Sequence, residues 1–130
     1  MSDIDSLELL KDLAQALYDK KGANILALDV RGISTMTDYF LIAEGNVERH
    51  VKALADAVLV TLKKHGEQPA FVEGEQTSDW IVIDCWGVVV HVFVPQLRQR
   101  YQLERLWTDA KLVDLGLEVS VGAERDLDVV

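Results

Sequence analysis

Apolar residues recur at Leu7, Leu10, Leu13, Ala14 and Leu17, at steps of three and four. That spacing lines one face of a helix, and it predicts an amphipathic helix over residues 5–20. Asp3 and Asp5 suit its positive N-terminal end, Lys20 and Lys21 its C-terminal end, and Gly22 its stop. Residues 24–30 are almost continuously apolar, the mark of a strand covered on both faces. Residues 31–37 are polar and contain glycine, so they read as a loop. Residues 38–43, rich in Tyr39, Phe40 and Ile42, read as a second strand that Gly45-Asn46 breaks. Val47, Val51, Leu54, Ala55, Val58, Leu59 and Leu62 form the clearest helical stripe in the chain, ended by Lys63, Lys64, His65 and Gly66. A short strand over 70–72 and a polar loop over 73–79 follow. Residues 80–85 and 88–94 read as two strands of a hairpin turned at Trp86-Gly87. Pro95 ends the sheet, and residues 96–111 read as a third helix. Residues 112–130 have no clean period. The order predicts an α/β fold: a single domain with a mixed sheet of about five strands flanked by helices.

A two-residue turn pairs Cys85 with Val88 and Trp80 with Phe93. Alternation then places Ile81, Ile83, Cys85, Val88, Val90 and Val92 on one wholly apolar face. The opposite face carries Trp80, Val82, Asp84, Val89, His91 and Phe93, with Asp84 and His91 as diagonal neighbours. Such a face serves as an exposed recognition surface, as a catalytic His–Asp pair, or as a structural contact beneath a helix.

Composition narrows the classes. Thirteen basic against 22 acidic residues give a net charge of −9, which disfavours a broad nucleic-acid surface. One cysteine excludes an intrachain disulfide and any multi-cysteine metal cluster. No apolar run reaches the roughly 18 residues of a spanning helix, and the acidic N-terminus is unlike a signal peptide, so a cytoplasmic protein without membrane contact is expected. The chain has no P-loop, no G-x-G-x-x-G and no helical histidine pair for zinc. Cys85 and His91 fall on opposite faces of the hairpin, so a thiol–imidazole pair is not expected. A nucleotidyl-transferring site needs Gly-Ser ahead of paired carboxylates, and no Gly-Ser occurs. No catalytic residue, metal or cofactor is expected.

The segment 95–107 departs from this acidity. It holds Arg98, Arg100 and Arg105, half of the chain's six arginines, against Glu104 alone. Tyr101 and Trp107 alternate with Leu103 and Leu106. Tyr, Trp and Arg are the side chains most enriched at binding hot spots. The same residues also suit an amphipathic helix packed through Leu97, Tyr101 and Leu106.

Four stretches together resemble the ribosomal silencing factor family, also called Iojap-like proteins. They are Lys20-Lys21-Gly22-Ala23-Asn24-Ile25-Leu26-Ala27-Leu28-Asp29-Val30, then Thr37-Asp38-Tyr39-Phe40-Leu41-Ile42-Ala43, then Glu73-Gly74 with Trp80-Ile81-Val82-Ile83-Asp84 and Val90-His91-Val92-Phe93, and last Arg100-Tyr101-Gln102-Leu103-Glu104-Arg105-Leu106-Trp107, with Arg98 as the first Arg of that motif. Asp84-Cys85-Trp86-Gly87 stands where the family usually reads D-Y-G-D, and Glu44 and Val47 stand where small or hydroxyl residues are usual.

The resemblance implies a nucleotidyltransferase-like fold without the catalytic residues, over residues 1–111, and a tail over 112–130. It implies a non-enzymatic factor that binds the large ribosomal subunit, chiefly its ribosomal protein fourteen. Bound there, the factor sterically blocks subunit joining and represses translation under nutrient limitation. It also implies a homodimer when free. The expected partner-binding residues are Trp80, Asp84, His91, Phe93, Arg98, Arg100, Tyr101, Leu103, Glu104, Leu106 and Trp107. The net charge adds that the ribosome contact is with basic protein more than with rRNA phosphate. Two other classes stay in view: a degenerate nucleotidyltransferase-like enzyme, and a dimeric adaptor unrelated to the ribosome.

Overall fold

Asp5 caps the first helix, its carboxylate accepting the Leu7 N–H at 3.2 Å, which satisfies one of the unpaired N–H groups at the helix start. The computed structural model describes residues 5–102, 105 and 110–117. The capped helix, α1, spans Ser6–Asp19 and buries Leu9, Leu10, Leu13, Ala14 and Leu17. At its end the Lys21 N–H bonds the Tyr18 carbonyl and the Gly22 N–H the Leu17 carbonyl, the paired closure of a Schellman motif. The left-handed residue is Lys21, at φ +67°, and not the expected Gly22. Gly22 is there for close approach, since a Cβ on it would sit 2.9 Å from the Leu17 oxygen. The second helix, α2, spans Glu48–Lys64. It closes in the same way, with Gly66 at φ +78°. His50 Nδ1 accepts the Asn46 N–H at 2.9 Å and Nε2 reaches the Lys20 carbonyl at 2.8 Å, so one ring joins the start of α2 to the end of α1.

The strands are β1 (Ala23–Asp29), β2 (Tyr39–Glu44), β3 (Phe71–Glu73), β4 (Trp80–Asp84), β5 (Val88–Phe93) and β6 (Lys111–Leu112). They form one six-stranded sheet in the order β3-β4-β5-β2-β1-β6. The central pair β2–β5 is parallel and every other pair antiparallel. Its parallel pairing needs a long crossover, which α2, β3 and β4 supply.

One sheet face packs under α1 and α2. Leu41, Ala43, Ile81, Ile83, Cys85, Val88, Val90 and Val92 meet Leu10, Leu13, Leu54, Val58 and Leu62 there. Each Val, Leu or Ile among them contributes about 1.5–3 kcal/mol when fully buried. The opposite face carries a smaller cluster of Leu28, Val30, Ile42 and Phe93, flanked by Leu26, Phe40, Trp80, Leu97 and Ala110.

One expectation is corrected. The third helix, α3, spans only Pro95–Tyr101, not 96–111. Gln102 takes φ +47° and ends it, and a left-handed residue that is not glycine leaves no mark in a periodicity. The expected mixed sheet of about five strands is present, with six strands among the described residues because Leu112 and Lys111 pair with Leu28 and Asp29. Beyond them the Val113 N–H bonds the Ala27 carbonyl at 3.0 Å. No helix among the described residues is long and apolar enough to cross a membrane.

Candidate functional site

The hairpin turn sets the geometry of the site. The Cys85 N–H bonds the Val88 carbonyl at 2.8 Å, and Trp86 and Gly87 take φ +60° and +104°. Positive φ at both central residues is the type I′ pattern that suits twisted strands. The expected register follows: Trp80 pairs with Phe93, Val82 with His91 and Asp84 with Val89. Parallel pairing sets Ile42 of β2 opposite His91 and Phe40 opposite Val89.

On the face away from α1 and α2, four rings gather. The centroids of Phe40 and His91 lie 5.8 Å apart, those of Trp80 and His91 6.0 Å, and those of Trp80 and Phe93 5.4 Å. The Trp80 indole N–H donates to His91 Nδ1 at 3.1 Å, which assigns the imidazole proton to Nε2. Trp80, His91 and Phe40 are half-buried, whereas Phe93 is completely buried.

The His–Asp pair does not form. Asp84 Oδ1 turns to the tip of the hairpin and accepts the Trp86 N–H at 3.1 Å, while the bond to His91 comes from Trp80. Cys85 lies in the core at 0% exposure, and burial pushes its thiol up to about 12. It is an inert filler and not a nucleophile.

Burial also pushes His91 down to about 4 from an ordinary 6.5. The folded ring therefore stays neutral at pH values where the unfolded one is charged. Above pH 6.5 the two states bind protons alike. As pH falls from 6.5 to 4, the unfolded state binds more, so the fold loses stability; below 4 the loss from this group is complete. The full effect is on the order of 3 kcal/mol. His91→Asn is expected to flatten the slope over that window, compared with the parent by urea unfolding at a series of pH values. An unchanged slope would contradict the buried neutral ring.

Of the expected partner-binding residues in α3, Arg98 is 9% exposed. Its Nη1 lies 3.2 Å from Glu44 Oε2 and donates to the Asn24 carbonyl. It thus ties α3 to the start of β1 and the end of β2. Removing one partner of such a buried pair leaves the other charge uncompensated. Arg100 is exposed, and Tyr101 closes α3. Leu103, Glu104, Leu106 and Trp107 lie outside the described residues. The structure therefore gathers Trp80, His91 and Phe93, sets Arg98 at one end of the sheet, and leaves Asp84 at the other.

Phe40 and Glu44 belong to this arrangement, though neither is among the partner-binding residues expected from the sequence. Phe40 joins it only because β2 lies beside β5, a pairing of segments far apart in sequence. Glu44 left one local signal, a carboxylate closing the apolar run Phe40-Leu41-Ile42-Ala43.

A family profile described as "Ribosomal silencing factor during starvation" matches residues 3–127. A ribosomal silencing factor of Bacillus subtilis is 44% identical over 107 residues, covering 82% of this chain and 91% of that protein. A mouse protein named mitochondrial assembly of ribosomal large subunit protein 1 is 32% identical over 82% of this chain and 50% of its own length. The crystal structure of a Chromobacterium violaceum protein, 36% identical, has a TM-score of 0.79, covering 81% of this chain and 88% of that one.

Proposed function

Because the chain belongs to the ribosomal silencing factor family, we propose that it silences by occupying a surface of the large ribosomal subunit and not by catalysis. The partner is chiefly ribosomal protein fourteen of that subunit, and the bound factor blocks joining of the small subunit sterically. The observation that carries this reading is the half-buried aromatic face of Trp80, His91 and Phe40, on the sheet side that α1 and α2 do not cover. Aromatic area with adjacent arginine is the usual make-up of a binding hot spot. Arg100 is exposed on α3, and Tyr101, Leu103, Leu106 and Trp107 supply anchor area with Glu104 orienting the contact. Phe93 and Arg98 hold this surface in place from within.

The net charge of −9 supports a basic protein partner with little direct rRNA contact, and faster association at low salt. A cytoplasmic factor that is a homodimer when free completes the reading.

Co-sedimentation with isolated large subunits on sucrose gradients tests it. The parent protein is expected in the large-subunit fraction, and its absence there overturns the reading. Tyr101→Ala and Trp107→Ala are expected to cost about 2 kcal/mol or more of binding, roughly thirtyfold in affinity. Thermal melts of the same variants separate contact loss from fold loss. Folded variants that co-sediment undiminished would remove these residues from the interface.

A further inference from the structure

At the end of the sheet opposite α3 lies a groove of about 750 Å³. The β4–β5 turn, the loop between β1 and β2, the start of α1 and the segment after α2 enclose it. Leu9 and Cys85 form its apolar floor, and both are buried. Trp86 and Met36 form its walls, 58% and 85% exposed. Asp38, Glu67 and Asp84 supply three carboxylates, and no Lys, Arg or His lines the groove among the described residues.

The aromatic wall is held rigidly. The Trp86 N–H bonds Asp84 Oδ1 at 3.1 Å, and the indole N–H donates to the Gln68 carbonyl. The Gly87 carbonyl accepts the N–H groups of both Asp38 and Tyr39, which joins the hairpin tip to the start of β2. Trp86 also sits at φ +60°, a region disfavoured for any residue with a bulky side chain. Asparagine would take the same turn position with less strain.

We propose that this groove receives an arginine side chain from a basic protein segment. A guanidinium stacks on an indole face, which attracts cations. It pairs with carboxylates in a two-pronged geometry that a lysine ammonium cannot match. Met36 and Leu9 cover the aliphatic stem of the arginine. The groove is too large for a single side chain, and its exposed walls accommodate the neighbouring residues of the incoming segment. The charge is complementary throughout, three acids facing one cation. The site is separate from the aromatic face, at the far end of β2 and β5, so it stands or falls independently of the contact proposed there.

The test uses hexa-arginine as probe, followed by tryptophan fluorescence at low salt. A saturable change is expected in the parent protein and is expected to vanish in Trp86→Asn, which should melt no lower than the parent because Asn-Gly suits the turn. The Asp38→Asn/Glu67→Gln double variant is expected to bind at least tenfold more weakly. The Asp19→Asn/Asp56→Asn double variant, with the same net charge but both changes away from the groove, is expected to bind within twofold of the parent. Hexa-lysine is expected to bind several-fold more weakly than hexa-arginine. No saturable change, equal weakening by the two double variants, or a change that persists without Trp86 overturns the site. Equal affinity for the two peptides overturns its assignment to arginine.

Discussion

Phe93→Ala is expected to lower the unfolding free energy by roughly 3–5 kcal/mol, read as a shift of the urea midpoint at constant slope. Phe93 is 0% exposed. It pairs across the hairpin with Trp80 and across the parallel pair with Glu44, and it packs with Leu28, Val30 and Ile42. Truncation leaves a void among groups anchored to three strands, where collapse is hindered. Any loss of large-subunit binding in this variant would therefore follow loss of the fold. Phe93→Leu, which keeps most of the volume, should retain both. A Phe93→Ala protein as stable as the parent, yet unable to bind, would mean that the ring is a contact after all.

Gly74→Ala is expected to cost about 3 kcal/mol or more, from left-handed backbone strain of about 1–2 kcal/mol and an overpacking cost of about 1–3 kcal/mol. Gly74 sits at φ +91°, and a Cβ there would lie 2.0 Å from the Trp80 carbonyl oxygen and 3.2 Å from the Ile81 Cα. Both obstacles are backbone, so no rotamer change relieves them. The strand pair β3–β4 must part, and Trp80 moves with it. Hydrogen exchange should speed at the amides of β3 and β4 before those of β5, alongside the drop in the urea midpoint. Unchanged protection in β4 would contradict the close approach. The Glu73-Gly74 pair noted in the sequence thus has a physical reason in the second of its residues.

Much of the fold is legible in local pattern. The helical stripe Leu10-Leu13-Ala14-Leu17 and the alternation through Ile81, Ile83, Val88, Val90 and Val92 predict which faces are buried, because periods of 3.6 and 2 are fixed by backbone geometry. The Trp86-Gly87 turn sets the hairpin register by itself. What escaped depends on partners distant in the chain. Lys111–Leu112 is a strand only because the edge of β1 is there to pair with it. Arg98 looks like a surface charge until Glu44, far earlier in the sequence, reaches it. Strand alternation makes Asp84 and His91 diagonal neighbours, as the register shows, yet their hydrogen bonds go to Trp86 and Trp80, and side-chain choice among such competing partners is a tertiary matter. The candidate site was thus partly visible: its rings were, while the division between ring that packs and ring that faces outward was not.

The parallel contact of β2 with β5 also sets a timetable. The strand Tyr39–Glu44 leaves a translating ribosome well before Val88–Phe93, its central neighbour in the finished sheet. Until the hairpin arrives, the segment Tyr39-Phe40-Leu41-Ile42-Ala43 has β1 on one side only, and its other edge offers unpaired backbone groups to any passing strand. Sheets closed by such distant pairings form slowly and pass through sticky intermediates. A protein that acts on ribosomes is, by its own topology, vulnerable during the seconds it spends emerging from one.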